Sequence, residues 1–126
     1  MDEVRSVLVI DDDPDIAEIV CATAESLGRT CVVTSTAKQF LAALTPRTSL
    51  ILMDLRMPEV NGDRLMQQLA QQHCAAEIVL MSGAGRADMA AAESLGLALG
   101  LKIAGLLAKP FRGAELRAVL MQSAQN

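Results

Sequence analysis

Residues 50–62 read Leu50-Ile51-Leu52-Met53-Asp54-Leu55-Arg56-Met57-Pro58-Glu59-Val60-Asn61-Gly62. The run from Leu50 to Met53 is wholly apolar, the pattern of a strand covered on both faces, and it ends on a carboxylate, Asp54. Met57-Pro58 blocks helix formation at once, because a proline ring disfavours helical backbone in the residue before it. Asn61-Gly62 then supplies a turn ahead of the next helical pattern. The stretch predicts a buried strand, an aspartate at its C-terminal end and a short loop held over that aspartate. A single acid after a strand is most often a helix cap or a solvated loop residue, so the remainder of the chain decides what Asp54 does.

Outward from this strand, short apolar runs alternate with helical spacing. Residues 4–10 form a strand that runs into Asp11-Asp12-Asp13-Pro14, where Asp13 is a natural N-cap and proline suits the first helical position. Ile16, Ile19, Val20, Thr23 and Leu27 mark the first helix, which Gly28 ends. Residues 30–34 are a second strand, and Thr36 with Gln39 is a capping-box signature for a short helix through Leu44. Leu65, Met66 and Leu69 line a third helix, and residues 77–81 are a fourth strand leading to Ser82-Gly83-Ala84-Gly85. In the fourth helix, 86–99, Leu95 and Leu99 share a face, whereas Leu97 is turned roughly 200° from Leu95 and points away from any sheet that covers them. Residues 102–108 are a fifth strand ending in Lys109-Pro110-Phe111, and Leu116, Val119 and Leu120 line the last helix. Strands alternating with helices predict one α/β domain over residues 1–126, built on a five-stranded parallel sheet with helices on both faces.

The bulk numbers narrow the function. A 126-residue chain with 52% hydrophobic residues is long enough for one well-buried core. The formal charge of −4, no basic run and only two aromatics, Phe40 and Phe111, leave no footprint for nucleic acid. No apolar run is long enough to span a membrane, and the N-terminus lacks a basic region followed by an apolar segment, so a cytoplasmic protein without membrane contact is expected. Cys21, Cys31 and Cys74 are odd in number and have no CxxC spacing, which favours buried free thiols over a zinc site. His73, the single histidine, reads as a helix-end residue.

Parallel strands joined by right-handed crossovers put their C-terminal ends on one edge of the sheet. That edge collects Asp11, Asp12, Asp54, Ser82 and Lys109. Carboxylates crowded together raise one another's pKa unless a cation sits among them, and a hard divalent ion such as Mg²⁺ takes oxygen ligands together with a phosphate. Lys109 offers a point charge and Ser82 a hydroxyl, both suited to phosphoryl oxygens. Asp54 is then placed as an in-line nucleophile on phosphorus.

Ile10-Asp11-Asp12-Asp13-Pro14, the stretch Met53 to Gly62, Met81-Ser82-Gly83 and Ala108-Lys109-Pro110-Phe111 together resemble the receiver domain of two-component response regulators, over essentially the whole chain. The resemblance implies a flavodoxin-like strand order, 2-1-3-4-5, and a domain that is not an enzyme beyond catalysing its own phosphorylation and dephosphorylation. It implies Asp54 as phosphoacceptor, Asp11, Asp12 and the backbone carbonyl of Arg56 as further Mg²⁺ ligands beside Asp54, Ser82 as switch hydroxyl and Lys109 as the phosphoryl-binding lysine, followed by a cis peptide to Pro110. It also implies a sensor histidine kinase or phosphotransfer protein as donor. An output domain or partner would be reached through the fourth helix, fifth strand and fifth helix, a surface that would also serve a homodimer. Two departures stand out. Leu106 occupies the place where many receivers carry an inward-turning aromatic, and the segment from Ser82 to Lys109 is longer than usual by about five residues, which is similar to receivers attached to EAL-type phosphodiesterases. Across the receiver family, the resemblance implies that the side chains at the positions of Arg56 and Ala84 influence the hydrolytic water. Neither can accept a proton from that water, so a slowly lost phosphoryl group is expected.

Two rival readings share some of these residues. A small phosphohydrolase of the haloacid dehalogenase type would use Asp11 as nucleophile with Asp13 as its D-x-D partner. A phosphate-independent interaction module would keep only the fold.

Overall fold

The computed structural model describes residues 6–57, 61–83 and 85–124. The elements are β1 (Ser6–Ile10), α1 (Pro14–Ser26), β2 (Thr30–Thr34), α2 (Ala37–Ala43), β3 (Thr48–Asp54), α3 (Gly62–Gln71), β4 (Glu77–Ser82), α4 (Arg86–Ala98), β5 (Lys102–Ala108) and α5 (Gly113–Ala124). The strands form one sheet in the order β2-β1-β3-β4-β5, and every neighbouring pair is parallel.

β3 is the centre of the sheet, and Leu50, Ile51, Leu52 and Met53 are all fully buried. Their alternation divides the core. Ile51 and Met53 pack with Phe40 of α2 and Leu65, Met66 and Leu69 of α3, while Leu50 and Leu52 pack with Val20 and Ala24 of α1 and Leu116 and Leu120 of α5. Each such side chain contributes about 1.5–3 kcal/mol on burial, which is why this strand fixes the layering.

Local chemistry sets the helix ends, at Asp13 and Thr36 as the sequence predicts and at Asn61, which by sequence reads only as part of a turn. Asp13 caps α1 by accepting from the Asp15 N–H, Thr36 accepts from the Gln39 N–H at 3.1 Å, and Asn61 accepts from the Arg64 N–H at 3.1 Å. His73 closes α3 in the left-handed region (φ 55°), its N–H donating to the Ala70 carbonyl while that of Cys74 reaches Leu69. On α4, Leu95 and Leu99 pack against the core and Leu97 is 57% exposed, as its angular offset requires. Gly96 faces β5 so closely that a Cβ there would lie 2.6 Å from Ile103 Cδ1.

The cysteine expectation is corrected in part. Cys21 and Cys31 are joined by a disulfide with a Cα–Cα distance of 5.4 Å, and only Cys74 is a free thiol. The chain reverses at Gly28 (φ 80°), so β2 returns along α1 and brings residue 31 against the helix. Linear spacing does not reveal that return path.

Candidate functional site

At the C-terminal edge of the sheet, β1 delivers Asp11 and β3 delivers Asp54, both buried, with Ser82 buried at the end of β4. Asp11 is fixed through its backbone, whose N–H donates to the Thr34 carbonyl of neighbouring β2 at 3.1 Å. Each carboxylate divides its oxygens. Oδ1 of Asp11 accepts from the Asp13 N–H at 2.9 Å, and Oδ1 of Asp54 accepts from the Arg56 N–H at 3.1 Å, tight turns of the kind that aspartate side chains favour. The second oxygens face Lys109, whose Nζ lies 2.8 Å from Asp11 Oδ2 and 3.2 Å from Asp54 Oδ2. The Lys109 N–H donates in turn to the Ser82 carbonyl at 2.8 Å, tying the end of β5 to the end of β4. The Lys109-Pro110 peptide is cis.

The electrostatics follow from burial. Burial pushes the Asp54 carboxyl up from its ordinary 3.8 and the negative charge of Asp11 adds to that, while the Arg56 N–H and Lys109 pull the other way without prevailing. Burial alone would lower Lys109, but its hydrogen bond to Asp11 and the charges of Asp11 and Asp54 outweigh this and hold it above 10.5. The lysine is therefore a fixed cation.

Asp11, Asp12 and Asp54 can each bring one carboxylate oxygen within 4.8 Å of the others, with Asp12 exposed at the rim. This all-oxygen donor set fits a hard divalent cation such as Mg²⁺. Asp13, by contrast, accepts the Asp15 N–H on Oδ1 as the cap of α1 and is not one of the three converging acids. The D-x-D pairing of the phosphohydrolase reading is therefore not favoured.

Asp11, Asp12, Asp54, Ser82 and Lys109, which the sequence places on this edge, lie there, and Ala84, named for its influence on the hydrolytic water, is outside the described residues. The sequence reading did not include Asp88, in the first turn of α4, whose Oδ2 lies 2.8 Å from the Arg56 guanidinium. Both side chains are largely exposed. An acid near a helix N-terminus is so common that nothing in the sequence singled this one out.

With this geometry in hand, comparison with known proteins is decisive. The family profile of the response regulator receiver domain matches residues 7–121. The chain belongs to that family. Among curated relatives, the transcriptional regulatory protein CpxR of Klebsiella pneumoniae is 31% identical, with 94% of this chain and 50% of CpxR covered. The DNA-binding transcriptional regulator NtrC of Salmonella typhimurium is 32% identical over 67% of this chain and 18% of NtrC. This receiver chain thus spans half of one relative's length and less than a fifth of the other's. Among solved structures, a response regulator from Colwellia psychrerythraea superposes with a TM-score of 0.85 at 25% identity, covering 98% of this chain and 100% of that one. The BeF3-activated DrrB receiver domain has the same fold, with a TM-score of 0.80 at 18% identity and coverages of 98% and 100%. Among the described residues, no helix is long and apolar enough to cross a membrane.

Proposed function

We propose that this receiver domain accepts a phosphoryl group on Asp54 in a Mg²⁺-dependent reaction and passes the change to the surface of α4, β5 and α5. The observation that carries the reading is the Lys109 ammonium held between Asp11 and Asp54 on the edge where the five parallel strands end. Asp54 Oδ2 attacks the phosphorus of a phosphohistidine on a sensor kinase or phosphotransfer protein. The P–N bond breaks, the imidazole leaves and takes up a proton, and an acyl phosphate remains on Asp54. Asp11, Asp12, Asp54 and the backbone carbonyl of Arg56 would hold the metal, which when bound neutralises phosphoryl charge. Lys109 pairs with phosphoryl oxygens from the opposite side. Ser82, at the end of β4, supplies the hydroxyl that follows the phosphoryl group.

α4, β5 and α5 each expose a large apolar side chain, Leu97 at 57%, Leu106 at 38% and Met121 at 49%. That supports their use by an output domain, a partner protein or a second copy. Leu106 has no ring to rotate, so the conformational change rests on Ser82 and the loop that follows it. The reading places the domain in the cytoplasm, where kinase and receiver meet. Incubation with a small phosphodonor and Mg²⁺, followed by intact mass, tests it. One added phosphoryl group, absent in Asp54→Asn and absent with chelator, is expected. Uptake by Asp54→Asn or without metal overturns it.

A further inference from the structure

The sulfurs of Cys21 and Cys31 lie outside the acidic pocket and have no part in phosphoryl transfer. Their α-carbons are 5.4 Å apart, well inside the span that a disulfide bridges, and both side chains are half-buried, so reagents in solution reach them. Cys31 lies on β2, which among the described residues is an edge strand paired with β1 alone and leaves Val32 and Val33 45% and 44% exposed. Cys21 lies on α1, the helix packed along β2. A bond between them fastens the edge strand to the helix. The effect extends to the pocket, since β2 ends at Thr34, three residues beyond Cys31. The Thr34 side chain donates to the Val9 carbonyl at 2.7 Å, and its own carbonyl accepts the Asp11 N–H at 3.1 Å. The crosslinked strand is therefore also the strand that seats the backbone of Asp11.

We infer that Cys21 and Cys31 are a reversible dithiol–disulfide site, oxidised by low-molecular-weight disulfides, whose closure clamps β2 to α1 and steadies the backbone seat of Asp11. In the step, one thiolate attacks a sulfur of the small disulfide and expels one thiolate. The second cysteine then attacks the resulting mixed disulfide and expels the other. The protein loses two electrons and two protons, and the small disulfide becomes two thiols. This pairing is independent of phosphorylation, so it stands or falls separately from the function proposed above.

The test takes the full chain through a series of reduced-to-oxidised glutathione ratios, then alkylates and weighs it. The expected thiol count falls from three to one, the survivor being Cys74, and returns to three when reduced glutathione is restored. Trypsin cuts after Arg29, so the closed form yields a crosslink between the peptide that starts at Ser6 and the one that starts at Thr30. Closure is expected to slow exchange of the Asp11 amide about tenfold or more, because it removes openings in which β2 leaves α1. In Cys31→Ser two thiols at most react, glutathione is trapped on Cys21, and the Asp11 amide ignores the glutathione ratio. Cys74→Ser keeps the whole cycle. Three reactive thiols under oxidised glutathione, a bond that reduced glutathione does not reopen, or an Asp11 amide that exchanges alike in both states overturns the inference.

Discussion

Replacing Lys109 by methionine keeps the aliphatic stem and removes the ammonium, leaving the carboxylates of Asp11 and Asp54 facing each other without their cation. Their side chains are 0% and 4% exposed, so water replaces little of what is lost. At 2.8 and 3.2 Å, each attraction is about 5–6 kcal/mol gross at an effective dielectric constant of about 20. Most of that offsets the cost of desolvating the three charges. Removing one partner of a buried pair is measured at about 3–5 kcal/mol, because the other partner is left buried and uncompensated. With a urea slope of roughly 2 kcal/mol per molar, the midpoint in chelator should fall by about 2 M. Magnesium should return much of the loss by supplying the missing positive charge to the same oxygens. The added stabilisation at about 100 times the dissociation constant is about 2.7 kcal/mol, and it should exceed the gain that Lys109 permits the unmodified protein. Urea unfolding of both proteins, with chelator and with Mg²⁺, decides the matter. An equal loss in the two conditions would mean that Lys109 acts through packing of its stem, and the charge argument would be wrong.

Asp54→Asn in metal-free protein should raise stability at neutral pH, since Oδ1 keeps its bond from the Arg56 N–H while a disfavoured buried charge disappears. The sign is set by the raised carboxyl: its penalty is absent below the ordinary value of 3.8 and grows as the pH rises through the folded value, so the gain should vanish on acidification. Thermal melts from acid to neutral pH check this. Leu97→Asp should leave the melting temperature within a few degrees, because the side chain is 57% exposed, while weakening any phosphorylation-dependent association measured by sedimentation. Phospho-Asp54 should decay slowly after donor removal, and Arg56→Asn combined with Ala84→Glu should speed that decay. If the unmodified protein already loses its phosphoryl group as fast as the double variant, other groups position the water.

Much of this was legible because the relevant signals are local. The apolar run ending at Asp54, the Asp13-Pro14 cap and the Thr36–Gln39 box each act within a few residues, and together they fix the strands and helices. The convergence of Asp11, Asp54, Ser82 and Lys109 then follows from the parallel connection rule. What escaped depends on packing between elements distant along the chain or on backbone reversal. Cys21 meets Cys31 only because β2 returns along α1. Arg56 meets Asp88 only because the loop after β3 lies beside the first turn of α4. Val32 and Val33 are apolar, yet they sit on an edge strand and are nearly half exposed. Composition does not reveal which strands lie outermost.

The division of oxygens at Asp54 carries a chemical consequence. Oδ1 is held by the Arg56 N–H of the loop and Oδ2 faces the Lys109 ammonium, so the two oxygens are chemically unlike before any ligand arrives. Under the proposed function, a phosphoryl group joined to Oδ2 would have to share or displace the Lys109 contact, while Oδ1 would keep its backbone bond. Donors of different size would then meet the same oxygen beside the same lysine, and selectivity among them would lie in the surface around the pocket.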